Sequence, residues 1–150
     1  MNTIFDAKTI QEFKTRINLL SNDSKAQWGK MTSYQMAIHC IASEKMYLNE
    51  VRLKRLFVGK LFGGMARKKM LGDDQPLGKN APTHPTFKKT GRGNLAQAKS
   101  EWISLIDEYM HRTDANFDNF EHPFYGKMNK QELGIAVYKH IDHHLRQFAV

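Results

Sequence analysis

At 150 residues, 41% of them hydrophobic, the chain has the usual size of one domain and enough apolar material to bury a real core. Its opening, MNTIFDAKTI, has no basic stretch leading into an apolar run, and nowhere do about 18 consecutive apolar residues occur; this excludes a membrane span and predicts a cytoplasmic single domain over residues 1–150. The net charge of +8 and pI near 9.6 suit nucleic acid, an anionic surface or a small anionic ligand, while the single cysteine, Cys40, excludes an internal disulfide and reads as a packing residue.

The first helix is signalled by Ile10, Phe13, Ile17 and Leu20, which recur at steps of three and four, with Thr9 and Glu12 at capping-box spacing ahead of them. A second is expected to open at Thr32, with Gln35 completing another capping box, and to run through Met36, Ile38, Cys40, Ser43 and Met46 to Tyr47. His39 falls on its inward side. The segment Arg52 to Lys69, RLKRLFVGKLFGGMARKK, carries seven basic residues and no acidic one. Helix is expected from about Val51 to Met70, with a break or bend where Gly59, Gly63 and Gly64 each weaken it by about 1 kcal/mol relative to alanine. The segment reads first as a solvated face whose lysine stems cover apolar surface, and second as a weak, salt-sensitive contact for a polyanion. Its apolar positions Leu53, Leu56, Phe57, Leu61 and Phe62 need cover, which a homodimer would supply.

From Gly72 to Gly93 the chain contains three prolines and no sustained periodicity, predicting a long loop. Asn94 then caps a helix in which Leu95, Ala98, Trp102, Leu105, Ile106, Tyr109 and Met110 recur at core spacing before it fades near Thr113. A second loop, DANFDNFEHPFYGKM, leads to Asn129 and Glu132, again at capping spacing, and to a last helix ending near Phe148. Four principal helices result. WGKMTSYQM, from Trp28, echoes YGKMNKQEL, from Tyr125, and each copy opens a histidine-bearing helix; both read as helix entrances of similar geometry.

The last helix contains VYKHIDHHLRQF, with three histidines within five positions. With Ile141 placed at zero and about 100° per residue, Leu133, Val137, Leu145 and Phe148 set a core direction near about −25°. His144 then lies at about −60°, His140 at about −100°, Gln147 at about −120° and His143 at about −160°, toward solvent. His140 and His144 are one turn apart, with Cβ atoms roughly 6 Å from each other, close enough for two imidazoles to share a metal. The best third ligand is His39, among Met36, Ser43 and Met46. Three imidazoles would leave coordination positions open, where a closed structural site commonly uses four ligands. On spacing alone the opposite reading stands beside this one: His140 and His144 as partly exposed polar side chains, His39 as a hydrogen-bonded core residue. His84, His111 and His122 lie in loops or at a helix end without a partner at ligand spacing.

HIDHHLRQF resembles the H-x-x-H-H-x-x-Q signature that closes the last helix of the DinB-like (YfiT-like) superfamily. The likeness extends through WGKMTSYQMAIHC and KNAPTHP, which resemble a branch of that superfamily described only as a domain of unknown function. The resemblance implies an all-α, up-and-down four-helix bundle, here with an additional basic helical segment and long loops. It also implies a metal-binding triad from the second and last helices, which maps onto His39, His140 and His144. One departure concerns the H-R-G-Q ending common in the family, which reads His144, Leu145, Arg146, Gln147 here, so no role carries over to Arg146.

Characterised members of the superfamily resemble thiol-dependent transferases and isomerases using a divalent metal, and others are described as metal-dependent hydrolases. What this implies is a small-molecule enzyme, of thiol S-transferase or hydrolase type, with Zn, Ni or Mn as the metal and a low-molecular-weight thiol as cosubstrate. Met36, Ser43, Met46, Gln147 and the loop from Asn80 to Pro85 are the candidates to line the open face. No serine or cysteine nucleophile with an adjacent base and no glycine-rich phosphate loop is present, and no catalytic residue is singled out. The alternative is a non-catalytic helical module that contacts nucleic acid or another polyanion through its basic segment, although it has no helix-turn-helix or RNA-binding motif.

Overall fold

A computed structural model describes residues 1–81, 83–113, 117 and 119–150. In chain order the elements are α1 (Ala7–Leu19), α2 (Ser33–Tyr47), α3 (Phe57–Leu71), a 3-10 turn (Pro85–Phe87), α4 (Leu95–His111), β1 (Glu121–His122), β2 (Gly126–Lys127) and α5 (Lys130–Gln147). The fold is the expected all-α bundle. Its only described sheet is a two-residue antiparallel ladder pairing Glu121 with Lys127 and His122 with Gly126. α1 meets α4 and α5, and α2 meets the same two, so α4 and α5 fill the grooves between α1 and α2. α3 stands outside, against α5 and β2. Among the described residues no helix is long and apolar enough to cross a membrane.

The helix entrances follow local chemistry. Thr32 and Gln35 exchange both bonds of a capping box, Gln35 N to Thr32 Oγ1 at 3.2 Å and Thr32 N to Gln35 Oε1 at 3.1 Å, and Asn129 and Glu132 do the same at 2.9 and 3.1 Å. The echo between these segments is thus an echo of cap geometry. Asn94 accepts from Gln97 N at 3.1 Å. The exception is α1, where Asp6 and not Thr9 is the cap, accepting from Lys8 N at 3.0 Å, and Thr9 lies buried within the helix. A carboxylate at the true first turn meets the free N–H groups and the positive helix end together, so the start moves three residues upstream of the Thr9 to Glu12 pattern.

α3 also departs from expectation, beginning at Phe57 and running unbroken through all three glycines. The reason is non-local. Gly59 and Gly63 face the backbone of the turn between β1 and β2: a Cβ on Gly59 would sit 2.7 Å from the Phe124 carbonyl oxygen, and one on Gly63 would collide with that same atom. Glycine here allows a helix to lie directly on another backbone, which outweighs its cost to the helix. Leu56 N donating to Pro123 O at 3.0 Å fixes the start of the contact. Leu53 packs against the core and Leu56 is half-buried, whereas Phe57, Leu61 and Phe62 are exposed.

The core gathers Ile4, Phe13, Ile17, Trp102, Ile106, Leu133 and Ile141, all fully buried. Cys40 is buried among them, its Sγ 3.6 Å from the Met36 sulfur, and burial pushes its thiol well above the ordinary range, as suits a packing residue. Truncating Trp102 or Phe13 to alanine removes a large, fully enclosed side chain and is expected to cost about 3–5 kcal/mol in urea unfolding. A cost below about 0.5 kcal/mol at either position would place that ring outside the core.

Candidate metal centre

Histidine 39 rises from α2 with 4% of its surface exposed, and its Nδ1 lies 2.8 Å from the Phe87 carbonyl oxygen. A carbonyl only accepts, so Nδ1 carries the hydrogen and the lone pair is on Nε2. The 3-10 turn that holds Phe87 is set by His84, whose Nδ1 accepts from Thr86 N at 3.2 Å.

His144 is fixed by the same logic from another side. Its Nδ1 is 2.9 Å from Gln147 Oε1, while Gln147 Nε2 donates to the Trp28 carbonyl at 2.8 Å. The second bond settles which end of the amide is oxygen, so His144 Nδ1 donates and its Nε2 is left with the lone pair. Gly29, at φ +79°, lets the chain turn beneath this amide; a Cβ there would stand 2.8 Å from Gln147 Nε2. Gln147 O accepts from Gln27 N at 2.8 Å, so the segment before α2 grips the end of α5 twice.

His140 completes a triangle with these two rings, its ring centre 5.3 Å from that of His39 and 4.7 Å from that of His144. Its Nε2 is 3.3 Å from His39 Nε2, and its Nδ1 is buried without a hydrogen-bond partner. One ligand nitrogen from each of the three rings can be chosen so that all lie within 4.8 Å of one another. The cluster could hold a metal ion, and protons alone satisfy it poorly. If His140 Nε2 carries a hydrogen it can serve His39 Nε2, but its own Nδ1 lone pair and His144 Nε2 then remain unserved. Adding protons is disfavoured as well. Burial first, then the fields of neighbouring histidines, brings His144 down to about 3 and His140 well below the ordinary value, while burial lowers His39 against the opposing pull of the Phe87 carbonyl. Three neutral imidazoles with ligand nitrogens this close together could hold a divalent cation, and two of them already have the outer N–H anchored as metal-bound histidines usually do.

Gln147 alone among the other expected lining residues touches a ligand ring by hydrogen bond in the described structure. Ser43 Oγ donates to the backbone oxygen of His39 at 3.1 Å, and Met36 and Met46 are buried in the core. Of the loop from Asn80 to Pro85, Pro82 lies outside the described residues, as do residues 114–116 and 118 of the second loop. Arg146 points away from the rings and pairs with Asp142 at 3.0 Å. His143 corrects the helical wheel in part. It stays out of the cluster, yet it is half-buried and not solvent-facing, because Trp28 packs on it at 5.5 Å between ring centres and its Nδ1 lies 3.3 Å from the Leu77 carbonyl. Loop cover of this kind has no helical period.

His122, set aside on spacing, borders the cluster. Its Nδ1 accepts from Phe124 N and Tyr125 N, both at 3.1 Å, so its hydrogen is on Nε2. Tyr47 stands between it and His140, with ring centres 5.7 and 6.0 Å away. Burial, then the charges of His84 and Arg55, lowers His122 to about 3. The only sequence signal was a turn-forming His-Pro.

The buried rings carry a pH dependence. His122 and His144 are held near about 3 in the fold and return to about 6.5 on unfolding. The unfolded chain therefore binds more protons between those limits, so their contribution is complete above pH 6.5 and drains away as pH falls toward 3. The urea midpoint of chelator-treated protein should fall steadily through that window. A level midpoint would mean that the folded rings already carry protons.

The DinB superfamily model matches residues 9–148. No curated protein and no solved structure matches the chain. The matched span runs from α1 into the residue that ends α5 and includes His39, His140, His144 and Gln147, and over that length the chain belongs to the DinB superfamily.

Proposed function

We propose that this protein is a small-molecule enzyme that holds one divalent cation on His39, His140 and His144 and uses it to activate water or a low-molecular-weight thiol, in a hydrolase or thiol S-transferase type of reaction. The observation that carries this reading is the approach of one ring nitrogen from each of His39, His140 and His144 to within 4.8 Å of one another, with the outer N–H of His39 and of His144 already anchored. When bound, a cation with three neutral ligands and open positions supplies Lewis-acid chemistry that lowers the pKa of water or a thiol toward neutrality. The chain's own part is orientation. Phe87 O and Gln147 Oε1 hold two rings in the tautomer that offers Nε2, and burial keeps all three rings unprotonated. Zn, Ni and Mn all suit such a donor set, and availability selects among them. Met36, Ser43 and Met46 complete the proposed surroundings, and the site serves the chain as one domain over residues 1–150.

The second reading is a non-catalytic helical module that meets nucleic acid or another polyanion through its basic segment. It draws on the exposed cations Arg52, Lys54, Lys60, Lys68 and Lys69. It leaves the histidine cluster without a purpose, which places it second. Metal analysis of untagged protein separates the two, since stoichiometric metal supports the first and no uptake after refolding with Zn²⁺, Ni²⁺ or Mn²⁺ supports the second.

Substitution distinguishes this site from a general abundance of histidine. His39→Ala, His140→Ala and His144→Ala should each abolish tight binding in a metal titration, because each leaves two imidazoles. His143→Ala should retain the metal. Gln147→Ala should weaken affinity by about 10- to 100-fold, the usual effect of releasing the group that orients a ligand. A His143→Ala protein that is empty beside a His144→Ala protein that is loaded would overturn the assignment.

A further inference from the structure

The outer face of α3 has no described partner. Phe57, Val58, Leu61, Phe62 and Met65 are 73, 55, 60, 54 and 70% exposed, the largest cluster of exposed large apolar side chains among the described residues. At about 100° per residue these five fall within one arc of roughly 140°, and Gly59, Gly63 and Met70, which are buried, fall on the opposite side. The orientation is held firmly. Beyond the two glycine contacts, Arg55 donates to Gly59 O at 2.7 Å and pairs with Glu121, and Arg67 donates to Lys127 O and pairs with Glu132. The helix cannot roll to hide its apolar arc without breaking these ties.

Charge indicates what covers the arc. Two of the seven basic residues between 52 and 69, Arg55 and Arg67, are spent on those internal ties, and they occupy the nearby acids Glu121 and Glu132. Arg52, Lys54, Lys60, Lys68 and Lys69 remain exposed, and the four lysines have no ion pair among the described residues. Lys68 and Lys69 continue the apolar arc at its C-terminal end and Lys60 flanks it. A second copy packed face to face would set these cations against themselves, since a two-fold contact presents the same patch from both sides and the stretch contains no acid. A nucleic acid would satisfy the cations but leave five large apolar side chains in water. An anionic lipid surface answers both, taking the apolar side chains below the headgroups while the lysines reach up to lipid phosphates.

We propose that α3 is an interfacial helix that seats the protein on anionic lipid membranes through Phe57, Val58, Leu61, Phe62 and Met65, with Lys60, Lys68 and Lys69 on the headgroups. The contact is peripheral and does not involve the metal centre, so it stands or falls apart from the proposed enzyme activity.

The test is co-sedimentation of the full untagged chain with vesicles of phosphatidylcholine alone and of equal parts phosphatidylcholine and phosphatidylglycerol. Binding is expected to the mixed vesicles only. Leu61→Ser combined with Phe62→Ser should weaken that binding roughly tenfold or more, with the helical circular dichroism unchanged because both side chains are already in solvent. Phe57→Trp gives a second readout that does not depend on the double variant: its emission should shift to the blue with mixed vesicles and stay put with phosphatidylcholine. The proposal is overturned if mixed vesicles do not sediment the protein, including the case in which light scattering shows a dimer that the double substitution dissociates. It is equally overturned if the double substitution leaves vesicle binding intact while duplex DNA is bound as tightly, because the contact would then be one of charge alone.

Discussion

Burying an imidazole is tolerable only while it stays neutral and both its nitrogens are served, and three imidazoles in contact make that condition hard to meet. His39, His140 and His144 have six ring nitrogens, of which two, on His39 and His144, are matched to acceptors outside the three rings. The rest of the site can be understood from this constraint. Each of those two acceptors traces to a loop. Phe87 O comes from the 3-10 turn, and Gln147 is aimed by the Trp28 carbonyl in the segment before α2. The helices bring the three histidines into range, and the loops decide which nitrogen each ring turns inward. A loop shift that left every helix in place would still degrade the donor set.

Elsewhere the core applies the same rule to an acid. Glu44 is fully buried on α2, and burial lifts its carboxyl to about 8 against the opposing effects of the Tyr109 and Trp102 side chains. Tyr109 Oη donates to Glu44 Oε2 at 2.6 Å, which links α2 to α4, while Oε1 has no partner. Near neutral pH this carboxyl is held largely protonated, so α2 presents an uncharged acid to α4 and an uncharged histidine to α5. The buried cation Lys139 is treated differently. Its ammonium donates to Met70 O at 2.7 Å and to Asp73 O at 2.6 Å, with the Asp73 carboxylate at 3.6 Å, so its charge is answered by oxygens at the end of α3. Lys139 adjoins His140 in sequence, which ties the position of α3 to the helix bearing two of the three histidines.

What could be read in advance divides by range. Capping boxes at Thr32 and Asn129 need only four consecutive residues, and the pairing of His140 with His144 needs one helical period, so both were legible in the sequence. The start of α1 is obscured in the sequence because Thr9 and Glu12 mimic a cap that Asp6 provides three residues earlier. Gly59 and Gly63 of α3 look like a break in the sequence because their purpose lies in the backbone of residues 123–125, far along the chain, and Gly64 has no such contact. Phe87, Trp28 and the cover over His143 were illegible for a related reason. A backbone carbonyl is offered by every residue type, so an acceptor 48 positions from His39, or 119 from Gln147, leaves no mark in composition or periodicity. His122 has no partner at ligand spacing, a test that is sound for a helix and uninformative for a turn.

The positive charge of the chain acts on the histidine cluster mainly as a field, and this has a physical consequence. The charge of Lys89 acts on His39 and disfavours protonation of that ring. With three neutral ligands, any cation bound there keeps its full charge in an enclosed setting, where electrostatic interactions are stronger than in water. A chain of net charge +8 adds a long-range field of the same sign. On the proposed function, both would favour an anionic or readily deprotonated small molecule over a cationic one. The field is screened within about 8–10 Å at ordinary salt, so it governs approach, and the enclosed site governs what is held.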